Sequence, residues 1–170
     1  MNYAAIDLCD VINGKGVRVS LFVSGCNFHC KGCFNQEAQD FSYGRLFTDK
    51  VEKLIIDQLK DPKYSGLSIL GGDPLCQNEE GLKQLSILCS KVHSLGKDVW
   101  LWSGYRYQDI LEDTSSLGFL RKVLLDNVDV FIDGTFHEEE KDLGLAFRGS
   151  SNQHIISLKK DESFEKTLEY

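Results

Sequence analysis

The stretch VRVSLFVSGCNFHCKGCFN, residues 17–35, runs from a strand pattern straight into three cysteines. Val17, Val19, Leu21 and Val23 alternate with Arg18, Ser20 and Phe22, the period-two signature of a β-strand. Phe22 adds an apolar residue on the second face, so burial on both sides is expected, as in a parallel sheet flanked by helices. Behind Gly25 come Cys26, Cys30 and Cys33, and no fourth cysteine follows at a matching interval. A closed zinc or iron–sulfur site normally takes four protein ligands. A trio leaves a position open, and open positions are where metals bind substrates.

Outward from this stretch, strand and helix patterns alternate. Thr48, with Asp49 in the first turn, opens a helix carrying Val51, Leu54, Ile55 and Leu59, which should stop near Asp61 and Pro62. The apolar run LSIL at 67–70 reads as a strand ending in Gly71, Gly72, Asp73 and Pro74. Asn78 caps a second helix with Leu82, Leu85, Leu88, Cys89 and Val92 on one face and Gly96 as its stop. DVWLW at 98–102 is a further strand, followed by a helical region around Phe119, Leu120, Val123 and Leu124. VDVFIDG at 128–134 and HIISL at 154–158 complete the strands, separated by a long polar loop and followed by a charged tail from about residue 159. This order predicts an α/β fold with a mostly parallel sheet in one domain over 1–170. In such sheets ligands sit beyond the carboxyl ends of the strands. The segments 26–33, 71–74, 103–105 and 133–134 should therefore meet at one mouth.

Composition narrows the partners. Nineteen basic against twenty-six acidic residues give a formal net charge of -7, which disfavours a nucleic-acid phosphate backbone as partner. No run of about eighteen apolar residues or leader pattern occurs, so a cytoplasmic protein without a membrane contact is expected. In that reducing compartment the six cysteines read as thiols or metal ligands. Spacing alone does not separate zinc from an iron–sulfur cluster. A zinc knuckle completed by His29 or a distant cysteine, within an interaction module, and a redox pair at Cys30 and Cys33 stand beside the cluster reading.

The pattern C-x3-C-x2-C after a strand resembles the radical S-adenosylmethionine superfamily. With NGKGVRVSLFVSGCNFHCKGCFN, LGGDPL, LWSGY, FIDGTF and FRGSSNQ in that order, the chain is similar to the family that activates the anaerobic ribonucleoside-triphosphate reductase, from about Asn13 to His154. The resemblance implies an open, partial α/β barrel and a [4Fe-4S] cluster held by Cys26, Cys30 and Cys33, with S-adenosylmethionine on the fourth iron. It implies reductive cleavage to a 5′-deoxyadenosyl radical, which takes a hydrogen atom from a glycine of the reductase large subunit. An electron donor such as a flavodoxin is implied as well. The nearest alternative within the superfamily is an activator of another glycyl-radical enzyme such as pyruvate formate-lyase.

By the same resemblance Gly71, Gly72 and Asp73 contact the ammonium of S-adenosylmethionine, while Gly32, Cys33 and Phe34 face its adenine. Asp73 stands where the family often has Glu, so backbone carbonyls are expected to carry more of that contact. Read from the residues alone, 71–74 is equally a strand-to-helix turn, and Phe34 a plug over the core. Trp102, Ser103 and Tyr105 wall the mouth or simply end a strand; Asp133 orients a ligand or caps a turn; Arg148 binds a carboxylate or is solvated. Cys89 reads as core, Cys76 as a thiol near the mouth that could close the fourth position, and Cys9 has no readable role. His93 belongs at a helix end, whereas His137 and His154 show no partner in the sequence.

Overall fold

The computed structural model describes residues 1–159; the charged tail expected from about residue 159 lies, from residue 160 on, outside the described residues. Seven strands, β1 (Asn2–Asp10), β2 (Val17–Val23), β3 (Arg45–Leu46), β4 (Tyr64–Gly71), β5 (Asp98–Trp102), β6 (Val130–Asp133) and β7 (His154–Ser157), form one sheet. Its order is β3-β1-β2-β4-β5-β6-β7, and it is open, with β3 and β7 at its edges. The helices are α1 (Asp49–Leu59), α2 (Glu79–Ser94), α3 (Tyr107–Glu112) and α4 (Ser116–Leu125).

The centre matches the expectation: β2, β4, β5 and β6 run parallel. The margins depart from it. A strand precedes residues 17–23, because 2–10 pairs antiparallel with β2. Its alanines and aspartates are poor strand formers, and pairing with β2 supplies the order that propensity does not. The segment 154–157 is a strand as expected but pairs antiparallel with β6, because the chain returns through a loop and not through a crossover helix.

The two faces of the sheet differ. Val19, Leu21, Val23, Leu67, Ile69, Val99, Leu101 and Phe131 form the main core with buried residues of the helices. On the other face a smaller cluster of Trp100, Val130 and Ile132 is covered by Trp102, Phe147 and Ile155. The strands are thus buried on both sides, but only one cover is helical. Leu82, Leu85, Leu88, Cys89 and Val92 of α2 are buried, which confirms the predicted face. Each such aliphatic side chain stabilises by about 1.5–3 kcal/mol. Asn78 accepts from the Gly81 amide at 2.9 Å, and Gly96 takes φ +71° at the far end, so α2 has both expected stops. Thr48 precedes α1 but makes no side-chain cap bond. Anchoring α2 fixes the turn between β4 and this helix, and with it one wall of the mouth.

Candidate functional site

At the end of β2 the backbone is stitched to the loop that follows the cysteines. Ser24 donates its amide to Asn2 O at 3.1 Å, Gly25 to Ala38 O at 2.7 Å and Cys26 to Gln39 O at 3.0 Å. Gly32 sits at φ +70°, a left-handed conformation that lets the chain double back between Cys30 and Cys33. All three motif cysteines are half-buried, and the Phe28 amide donates to Cys26 Sγ at 3.4 Å. His29 Nδ1 lies 3.0 Å from Gln39 Oε1, so one ring nitrogen is already engaged within the loop.

The turn after β4 is sewn to the same loop. Gly72 donates to Val23 O at 2.7 Å and Asp73 to Gly25 O at 2.8 Å. A Cβ on Gly72 would fall 2.6 Å from Ala38 O and 2.7 Å from Gly25 O, so only glycine permits this approach. The Asp73 carboxylate is engaged within the protein. It accepts from the amides of Leu75 at 2.7 Å, Cys76 at 3.2 Å and Gly104 at 2.7 Å, and from Ser103 Oγ at 2.9 Å. Burial pushes its pKa up to about 6, against the pull of those donors. Asp73 therefore ties the turn after β4 to the turn after β5, which explains Ser103 and Gly104 in the LWSGY segment.

The third wall comes from the end of β6 and the loop over 134–153. Phe34 packs against Phe136 with ring centroids 5.7 Å apart, and Trp102 Nε1 donates to Phe147 O at 2.7 Å. Arg148 Nη1 donates to Gln153 O at 2.7 Å, and Gln153 Nε2 to Gly134 O at 2.9 Å. The FRGSSNQ segment is thus a clasp on the strand end. Asp133 lies beneath the mouth, where it accepts from the Tyr107 amide and pairs with His154, each at 2.9 Å. His137 pairs with Glu140 at 2.9 Å, so both histidines have partners that the sequence did not reveal. His93, in the last turn of α2, lies 2.9 Å from buried Asp129.

These walls enclose one cavity of about 190 Å³, lined by Cys26, Cys30, Cys33, Phe34, Gly71, Gly72 and Asp73. Its far side is Trp102, Gly104, Thr135 and Gln153. The segments read separately along the sequence do converge, while Thr135 and Gln153 are additions from motifs whose chemistry was unreadable.

The donor set suits a cluster better than a single ion. Among the described residues, the set with three ligand atoms within 4.8 Å of one another is Cys26, Asp73 and Cys76, and the motif trio is spread more widely. A tetrahedral zinc at about 2.3 Å from each sulfur needs sulfurs roughly 3.8 Å apart. The wider trio on one glycine-relieved loop suits several soft irons. Cys76 lowers the pKa of Cys26 to about 7 through a side-chain hydrogen bond, whereas burial raises that of Cys30. Cys89 is fully buried in the core, as expected, and Cys9 is exposed.

Residues 12–156 match the family model described as a 4Fe-4S single cluster domain. The chain is also similar to proteins named anaerobic ribonucleoside-triphosphate reductase-activating protein. That of Haemophilus influenzae is 43% identical over 162 residues, 94% of this chain and 99% of the relative. That of Vibrio cholerae is 43% identical over 158 residues, 91% of this chain and 97% of the relative. That of the bacteriophage T4 is 39% identical over 158 residues, covering 92% and 94%. No helix among the described residues is long and apolar enough to cross a membrane.

Proposed function

The chain belongs to the family of anaerobic ribonucleoside-triphosphate reductase-activating proteins, with a 4Fe-4S domain, and we propose that it is a radical S-adenosylmethionine enzyme that installs a glycyl radical on that reductase. The observation that carries this reading is the cysteine trio without a fourth motif cysteine, opening on a cavity with Gly71 and Gly72. In this reading the open sheet takes the part of that superfamily's partial barrel. When bound, the cluster would supply the one-electron reduction by which such enzymes cleave S-adenosylmethionine and start radical chemistry at the target glycine.

The chain's own residues then have distinct tasks. Cys26, Cys30 and Cys33 would hold the [4Fe-4S] cluster, with S-adenosylmethionine bound beside them. Gly71 and Gly72 bring bare backbone to the cavity, and Asp73 contributes through its main chain, since its carboxylate is engaged by Ser103, Gly104, Leu75 and Cys76. Gly32, Cys33 and Phe34 form the adenine side. Phe34, with Phe136 beside it, and Trp102 keep water from the reactive centre. The reductase large subunit is the partner, an electron donor such as a flavodoxin the source of reducing equivalents, and the cytoplasm the compartment.

The test is anaerobic reconstitution with iron and sulfide, followed by reduction with S-adenosylmethionine. We expect 5′-deoxyadenosine and, with the purified reductase, a glycyl radical seen by electron paramagnetic resonance. A full cluster that yields no 5′-deoxyadenosine overturns the enzyme reading. A glycyl signal on pyruvate formate-lyase but not on the reductase overturns the choice of partner.

A further inference from the structure

Arg121, midway along α4, reaches from the helix layer to two of the turns that wall the cavity. Its side chain is 11% exposed. Nε donates to Leu75 O, in the turn after β4, at 2.9 Å, and Nη1 donates to Asp113 at 3.0 Å. Nη2 donates to the Tyr105 hydroxyl, just beyond β5, at 2.9 Å, and the guanidinium carbon lies 4.3 Å from the centroid of the Tyr105 ring. A planar fork of fixed donors orients its acceptors in a way that a flexible ammonium does not. The helix that carries it is anchored as well. Ser115 accepts from the Gly118 amide at 3.0 Å, and Leu124 and Leu125 are buried.

These contacts lead to the cysteine loop. The Tyr105 ring meets the Phe28 ring edge-on, with centroids 5.0 Å apart. Phe28 lies between Cys26 and Cys30, lines the cavity with both, and donates its amide to Cys26 Sγ at 3.4 Å. A Cβ on Gly104 would fall 2.5 Å from the Phe28 ring, so glycine leaves the room that the ring occupies. We propose that Arg121 is a positioning residue for the cluster site: through Tyr105 and Phe28 it holds the arm between Cys26 and Cys30 in place, and so retards the loss of iron. This rests on the reading of Cys26 and Cys30 as iron ligands.

The physical reason is preorganisation. Ligands carried on a loop keep their geometry only when packing and hydrogen bonds around them lock it. An edge-to-face pair fixes the orientation of the Phe28 ring, and the Arg121 fork fixes its partner. Groups that orient ligands from outside the ligand set typically change metal affinity by about 10–100-fold. Arg121 acts through two intervening rings, so the lower end of that range applies.

The experiment uses the full chain reconstituted anaerobically as wild type, Arg121→Met, Tyr105→Leu, Tyr105→Phe and Gly104→Ala. Arg18→Met, destabilised far from the cavity, is the control. Iron and sulfide are counted per chain, and transfer of iron to a colorimetric chelator is timed at a temperature where circular dichroism shows every variant folded. Wild type and Arg18→Met should release iron at the same rate. Arg121→Met and Tyr105→Leu should each release it about ten-fold faster, and the double variant no faster than either. Tyr105→Phe keeps the ring against Phe28 and loses the hydroxyl, so its rate should fall between. Gly104→Ala displaces the Phe28 ring without touching Arg121, and should match Arg121→Met. A wild-type rate in Arg121→Met overturns the proposal, as does equal acceleration in Arg18→Met, which would make global stability the cause. If Arg121→Met does not fold, Tyr105→Leu and Gly104→Ala decide. A wild-type chain that takes up no four-iron cluster sinks the ligand reading itself, and this inference with it.

Discussion

The two ends of the parallel strands treat polar side chains in opposite ways. At the amino ends Arg18 is fully buried, donating to Ser68 Oγ at 2.7 Å, Leu67 O at 2.8 Å, Lys15 O at 3.1 Å and Asp98 at 2.5 Å, with its guanidinium carbon 5.4 Å from the Trp100 centroid. Nearby, Asp10 receives Ser20 Oγ at 2.5 Å and Asn13 Nδ2 at 2.6 Å. That network closes on itself. At the carboxyl ends the three motif thiols instead line a cavity, beside an Asp73 hub that is satisfied internally. Groups that satisfy one another hold a fold together, while groups aimed into a shared cavity await a ligand.

Breaking either end should therefore give different losses. Cys30→Ala should abolish S-adenosylmethionine cleavage and cluster uptake, with no product above background, while the apoprotein stays within about 0.5 kcal/mol of wild type in urea unfolding. Arg18→Met should do the reverse. Leaving Asp98 without its partner should cost about 3–5 kcal/mol, while the protein that does fold retains its cluster. Burial pushes both partners toward neutrality, lowering the Arg18 pKa and raising that of Asp98, so the pair is not itself the source of stability. Replacing both by apolar residues of similar size should recover most of the loss.

Asp73 sharpens the comparison because it is a closed hub inside the open end. Asp73→Asn keeps an acceptor for Leu75 and Cys76 but turns an amide toward the Gly104 N–H, and should cost about 1–3 kcal/mol. The pH profile gives a second reading. The folded pKa of about 6 lies above the ordinary 3.8, so the native state holds the proton more tightly than the unfolded chain. The contribution of Asp73 is complete below about pH 4 and is lost as pH rises through about 6; in Asp73→Asn that fall should disappear from apoprotein stability measured against pH. The smallest effect is expected for Lys31→Ala. Its pair with Glu138, at 2.9 Å, ties the cysteine loop to the loop over 134–153, but both side chains are solvated, and Tm should not change measurably.

Much of this arrangement was legible along the chain. The strand before Cys26, the α2 face and its stops at Asn78 and Gly96, and the glycines at 71 and 72 depend on neighbours a few residues apart, and each was found where its pattern put it. The strand at 2–10, the antiparallel β7, the partners of His137 and His154, and the use of the Asp73 carboxylate were not legible. Asp73 meets Ser103 across 30 residues, Arg18 meets Asp98 across 80, and Arg121 reaches Leu75 across 46.

The sequence by itself determined the donor set, three thiols on a short loop behind a strand, because spacing within one loop is set by the chain's own geometry. It likewise determined that strand ends bearing Gly71, Ser103 and Gly134 would gather beside that loop. Only the tertiary structure decided which polar groups stay available there. Strand order and register bring Ser103 and Gly104 up against Asp73, engaging its carboxylate, and set the Cys76 sulfur within 4.8 Å of Cys26 Sγ. Hydrogen bonds reach only about 3 Å, so residues distant in sequence become partners only once the sheet has set their separation.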